Sequence, residues 1–214
     1  MRLVLPRLYV ILDAALLTIP ETEFARQLVD AGVRLLQYRN KGASSGDLVE
    51  SSKRLSEELL PLGVTFIVND RADVAALAGA SGVHVGQEDL GVEEARAVAG
   101  KSKLVGVSTH NREQFEQAAA SSADYIAVGP IFSTSTKSNP DPVVGTGFIR
   151  QVRPVTSKPI VAIGGITLER AAGVVQAGAD SVAVISDILR AARPGERARQ
   201  YFEVLEAANH TAGF

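Results

Sequence analysis

The stretch Val64–Leu90, VTFIVNDRADVAALAGASGVHVGQEDL, contains one strand–helix–strand unit. Thr65–Val68 is a short apolar run that ends in the polar pair Asn69-Asp70. A helical segment follows, and Gly79-Ala80-Ser81-Gly82 closes it and launches a second apolar run, Val83–Val85. That run also ends in polar residues, Gly86-Gln87-Glu88-Asp89. Two strands joined by a helix run parallel. Near-continuous apolar runs suit strands covered on both faces.

The same pattern recurs on either side. Apolar runs at Leu8–Leu12, Arg34–Tyr38, Leu104–Val107, Tyr125–Val128, Ile160–Ile163 and Val182–Ile185 bring the strands to eight. Amphipathic segments such as Glu21–Ala31, Gly46–Leu60, Glu93–Ala99, Arg112–Ala120 and Leu168–Ala177 lie between them. Gly32, Gly79 and Gly178 sit where a helix stops, because glycine accepts the left-handed conformation found there; Ser121-Ser122 does this work without glycine. Eight βα units predict a single (β/α)₈ TIM barrel spanning residues 1–214, closed by a helix over Glu196–Ala208. An open doubly wound sheet is the rival, but it rarely needs eight evenly spaced units.

Composition narrows the chemistry. The 214 residues include no cysteine and only three histidines, which excludes disulfides, thiolate nucleophiles and Cys-based metal sites. A formal net charge of −2 offers no general attraction to nucleic acid or to anionic membranes. Arg2 and Arg7 before an apolar run briefly resemble a signal peptide, but Asp13 interrupts it and it reads as the first strand. The expectation is a cytoplasmic protein acting on small molecules, with a homo-oligomer left open.

In such a barrel the residues just after each strand share one rim. The second strand ends Gln37-Tyr38-Arg39-Asn40-Lys41, and alternation puts Gln37, Arg39 and Lys41 on one face. Two cations there call for an anion or for neighbouring carboxylates, and phosphate is the favoured reading. Asp70 and Asp89 end neighbouring strands and could share one hard cation such as Mg²⁺; each could instead cap the next helix. Ser108 is left for a ligand if Asn111 and Gln114 cap the helix after the fifth strand, the alternative being a plain structural hydroxyl. His110, in a loop, could be catalytic but reads more simply as a solvated surface residue, and the same applies to His84, inside a strand. The long sixth exit, from Gly129 to Gly145, carries Ser133, Thr134, Ser135, Thr136 and Lys137 and reads as a lid. Gly164-Gly165 and Ile185-Ser186, after the seventh and eighth strands, fit the recurrent phosphate site of this fold. Thr167 reads as a helix cap only. The rim therefore offers two anion sites.

The segments VNDRADVAALAGASGVHVGQEDL, GVSTH, GPIFSTSTK and AIGGIT resemble the signatures of the thiamine-phosphate synthase family, in its order, from about Leu8 to Leu189. The resemblance implies a Mg²⁺-dependent transferase that joins a hydroxymethylpyrimidine diphosphate to a thiazole phosphate and releases pyrophosphate. It assigns the diphosphate to Gln37, Tyr38, Arg39, Asn40, Lys41, Asn69, Ser108 and Lys137, with Ser108, Lys137 and Arg39 as catalytic groups. Mg²⁺ falls to Asp70 and Asp89. The thiazole phosphate falls to Thr134, Ser135, Thr136, Gly165, Ile185 and Ser186. The family more often has leucine and glutamate where Tyr38 and Asn40 stand, and proline where Ser133 and Ser135 stand; changed packing is the expectation. A thiazole tautomerase of the same fold has no use for Arg39, Lys41, Asp70, Asp89 and Lys137 together. A non-catalytic phosphate sensor has no use for a metal pair.

Overall fold

The computed structural model describes residues 3–134 and 141–211, the last three by their backbone alone. Eight parallel strands close into a barrel in sequence order. They are β1 (Leu8–Asp13), β2 (Leu35–Arg39), β3 (Thr65–Asn69), β4 (Gly82–Val85), β5 (Leu104–Thr109), β6 (Tyr125–Val128), β7 (Ile160–Ile163) and β8 (Ser181–Val184). Around them lie α1 (Glu21–Asp30), α2 (Ser45–Leu59), α3 (Ala72–Leu77), α4 (Val92–Ala99), α5 (Arg112–Ala120), α6 (Gly145–Val152), α7 (Leu168–Gln176), the short α8 (Ser186–Leu189) and α9 (Pro194–Thr211).

Local sequence explains the helix ends. Gly32, Gly79 and Gly178 follow α1, α3 and α7 with φ of +106°, +67° and +111°, a region that costs other L-residues dearly. Ser44 caps α2 by accepting from the Asp47 amide at 3.2 Å. Asn111 caps α5 by accepting from the Gln114 amide at 3.0 Å, and the Gln114 side chain returns to the His110 amide at 2.7 Å. That is the expected capping box, displaced by one residue. The closing helix α9 packs against α7 and α1 and runs beyond the predicted Glu196–Ala208 at both ends.

Strand alternation divides the apolar residues into two cores. Leu8, Val10, Leu36, Tyr38, Val68, Val83 and Val128 face outward against the helices. Tyr9, Ile11, Leu35, Ile67, Tyr125, Ala127, Val161 and Ala183 fill the barrel itself. Four strands run one or two residues further than their apolar runs predict. The parallel ladder continues into the polar exits, pairing Asp13 with Arg39 and Ser108 with Ala127. In those four strands the polar residues that end the ladder therefore still obey strand alternation.

Candidate active site

All the strand C-termini open onto one cavity of about 600 Å³. Of the described residues predicted for a site, Gln37, Arg39, Lys41, Asn69, Asp70, Asp89, Ser108, Thr134, Gly165, Ile185 and Ser186 line it together. Ser135, Thr136 and Lys137 lie outside the described residues.

Tyr38 and Asn40 are a correction, since neither side chain lines this cavity. Alternation turns Tyr38 outward, 2% exposed, into the layer beneath the helices. Asn40 donates to the Tyr38 hydroxyl at 3.1 Å and accepts from the Gly42 and Ala43 amides, so it shapes the turn after β2.

At the β2–β4 side each cation already meets a carboxylate. Arg39 Nη1 lies 2.5 Å from Asp13 Oδ2, and Lys41 is ion-paired with Asp70. Asp13, 2% exposed at the end of β1, is a residue the sequence reading missed. Its signal in the sequence was a carboxylate closing an otherwise apolar strand; only the folded register sets it opposite Arg39. Asp70 and Asp89 do not act as helix caps. The cap position of α3 is Arg71 and that of α4 is Gly91, and neither helix receives a side-chain cap. Asp70 is the described non-glycine residue with positive φ, at 61°, which turns its carboxylate toward Lys41 and Asp89. Burial, and then the neighbouring Asp89, push the Asp70 carboxyl above the usual range against the opposing pull of Lys41. One oxygen of Asp89 accepts from the Gly86 amide at 2.8 Å. Arg39 and Lys41 are thus outnumbered by Asp13, Asp70 and Asp89. An anion would meet net negative charge at this end until further positive charge arrives.

Across the rim, the exits of β6 and β7 are stitched together. The Ile131 amide donates to Ile163 O at 2.8 Å and the Phe132 amide to Gly164 O at 3.0 Å. Gly164 and Gly165 have φ of +98° and +61°; a Cβ on Gly165 would lie 2.3 Å from Ser133 O. Both glycines are required by this close approach. Arg170 donates to Gly165 O at 2.8 Å and lies over the Phe132 ring, 4.6 Å from its centroid. With Arg190 it adds two cations to the cavity wall that sequence reading missed. Arg170 had a signal, being a cation in the first turn of α7, where the helix dipole favours anions. Thr167 occupies the cap position of α7 without making a capping bond, and it lines the cavity.

The histidines also correct the sequence reading. His110 is held, not solvated: its Nδ1 lies 2.6 Å from Gly129 O and its Nε2 3.5 Å from Asp141. His84 is buried in the barrel wall, its Nε2 2.9 Å from Ser108 Oγ and its Nδ1 3.1 Å from the Tyr125 hydroxyl. Burial lowers its pKa to about 4, opposed only by the charge on Asp89, so the ring is neutral near pH 7. A hydrogen-bonded His–Ser pair was not foreseen.

Residues 8–188 match the family model described as thiamine monophosphate synthase. A thiamine-phosphate synthase from Koribacter versatilis is 51% identical over 210 residues, covering 95% of this chain and 97% of its own. Its counterpart from Chlorobium phaeovibrioides is 46% identical over 189 residues, covering 86% and 87%. Among solved structures, thiamine phosphate pyrophosphorylase from Pyrococcus furiosus superposes with a TM-score of 0.86 at 31% identity, covering 94% of this chain and 96% of that one.

Proposed function

The chain belongs to the thiamine monophosphate synthase family, and from that premise we propose that it joins a hydroxymethylpyrimidine diphosphate to a thiazole phosphate, forming thiamine phosphate and releasing pyrophosphate. It is an enzyme, a transferase. One observation supports the two-substrate reading most directly. The charged exits of β2–β4 face the glycine-built exits of β6 and β7, with Ile185 and Ser186 after β8, across a single cavity. The diphosphate half falls to Gln37, Arg39, Lys41, Asn69 and Ser108, with Lys137 expected beside them. The thiazole phosphate falls to Thr134, Gly165, Ile185 and Ser186, with Ser135 and Thr136.

Asp70 and Asp89 would hold one Mg²⁺. Their hard carboxylate oxygens suit that ion, and a divalent cation would offset both the burial that chiefly raises the Asp70 carboxyl and the repulsion from Asp89 that adds to it. When bound, it would supply the positive charge that this end lacks for a diphosphate.

The substitution we propose is dissociative. The C–O bond to the diphosphate breaks, and its electron pair leaves with pyrophosphate. The remaining pyrimidine-methyl cation is stabilised by its ring amino group until the thiazole nitrogen attacks with its lone pair, forming the C–N bond. No proton moves at the reacting atoms. Arg39, Lys41 and Lys137 stabilise the departing charge, Ser108 hydrogen-bonds it, and the enclosing rim keeps water from the cation.

The test is to incubate both phosphorylated heterocycles with the protein, with and without Mg²⁺. Coupled product and pyrophosphate should form only with the metal. Absence of product under both conditions would overturn the assignment.

A further inference from the structure

A file of polar side chains crosses the barrel beneath the cavity. Gln37 Nε2 donates to the Tyr9 hydroxyl at 2.7 Å, and the Tyr9 and Tyr125 hydroxyls lie 3.1 Å apart. Tyr125 lies 3.1 Å from His84 Nδ1, and His84 Nε2 lies 2.9 Å from Ser108 Oγ. Five strands contribute one member each. The file has room because β5 carries Gly106: a Cβ there would lie 2.0 Å from Tyr125 Cζ. Tyr125 stacks on the His84 ring at 5.5 Å and meets Tyr9 edge-on at 6.1 Å, so the rings hold one another in place.

The file has a direction. An amide nitrogen only donates, so the Tyr9 oxygen accepts from Gln37. Each hydroxyl has one hydrogen, and the Tyr9 hydrogen has one acceptor in reach among the described residues, the Tyr125 oxygen. Were Tyr125 to turn its own hydrogen back on Tyr9, the buried Tyr9 donor would be left without an acceptor among the described residues. Tyr125 therefore donates to His84 Nδ1. The neutral ring then carries its proton on Nε2 and donates to Ser108 Oγ.

We infer that His84 is a positioning residue, held as the Nε2–H tautomer by Gln37, Tyr9 and Tyr125, and that it commits the Ser108 hydroxyl to donating into the cavity. A protonated Nε2 cannot accept the Ser108 proton, so the pair is not a nucleophile with its base. That Ser108 donates to an oxygen of the leaving pyrophosphate rests on the function proposed above; the tautomer does not.

Long-range ¹⁵N–¹H spectra of the full chain with ¹⁵N-labelled histidine read both tautomers directly. His84 is expected as Nε2–H, and His110 as Nδ1–H because it donates to Gly129 O. His110→Gln and His210→Gln assign the signals. In Tyr125→Phe the donor to Nδ1 is gone, and the fixed His84 tautomer should give way to a mixture. An Nδ1–H signal for His84 in the parent protein, or an unchanged one in Tyr125→Phe, overturns the relay. Turnover gives the second readout. His84→Gln keeps an N–H where Nε2 stood and should stay within about tenfold of the parent kcat, whereas His84→Leu should lose roughly 10²-fold with little change in KM, the scale of one misdirected donor. Equal losses in the two variants overturn the positioning role. If the parent protein forms no product at all, the proposed function fails while the spectra still decide the relay.

Discussion

His84 shows how one ring can be set by its surroundings. Its folded pKa is about 4 and its ordinary value 6.5, so between these pH values the unfolded chain holds a proton that the folded protein lacks. The stability contribution is complete above pH 6.5 and is lost as pH falls toward 4, by roughly 3 kcal/mol at one pKa unit per 1.36 kcal/mol. Urea melts at pH 7 and near pH 4 should show this loss in the parent protein and not in His84→Gln; matching slopes would contradict it. Lys137 gives a second prediction at this scale: Lys137→Ala should lower turnover by about 10²-fold, as loss of one transition-state donor does. Steady-state kinetics with both substrates check it. Individual histidines were poorly legible in the sequence. His84 looks like any strand residue until β4, β5 and β6 bring Ser108 and Tyr125 to its two nitrogens.

At the scale of elements, the strand ends carry the site and glycines set how closely those ends approach. Gly165→Ala would place a side chain at φ +61° and 2.3 Å from Ser133 O. It should destabilise the fold by about 1–3 kcal/mol and raise KM for the thiazole phosphate more than for the diphosphate. Equal KM changes would deny the exits of β6 and β7 that role. Gly106→Ala forces Tyr125 aside and should cost a similar ~1–3 kcal/mol, as overpacking does. Thermal melts with the His84 spectrum would show whether stability and tautomer are lost together. The elements themselves were the most legible feature. β6, β7 and α5 have the bounds their sequence predicts; for α5 they are set by the Asn111 cap at its start and Ser121 at its end. Other strands run further because ladder pairing with a neighbour continues past the apolar residues, as Asp13 opposite Arg39 shows.

For the whole molecule, the decisive quantity is the charge gathered where strands distant in sequence converge. Asp13 joins Asp70 and Asp89 against Arg39 and Lys41, so the β2–β4 end carries more carboxylates than the described cations balance. Pyrophosphate alone should then barely raise the melting temperature. Pyrophosphate with Mg²⁺ should stabilise by about 2.7 kcal/mol at a hundredfold over Kd, or roughly 5–10 °C for a chain of this size. Calorimetry with each ligand alone and both together checks it, and equal shifts with and without the metal would remove Asp70 and Asp89 as its holders. Among the described residues no helix is long and apolar enough to cross a membrane.

Read alone, the sequence determined the eightfold alternation, the shared face of Gln37, Arg39 and Lys41 on the second strand, and which polar exits share a rim. These follow from periodicity and from local backbone preferences that each segment carries within itself. Pairing belongs to the tertiary structure alone. It decided that Arg39 meets Asp13, that Asp70 and Asp89 face each other without capping helices, and that His84 joins Ser108 to Tyr125. Hydrogen bonds and ion pairs act over a few ångströms, and only closure of the barrel brings residues so far apart in the chain within that distance.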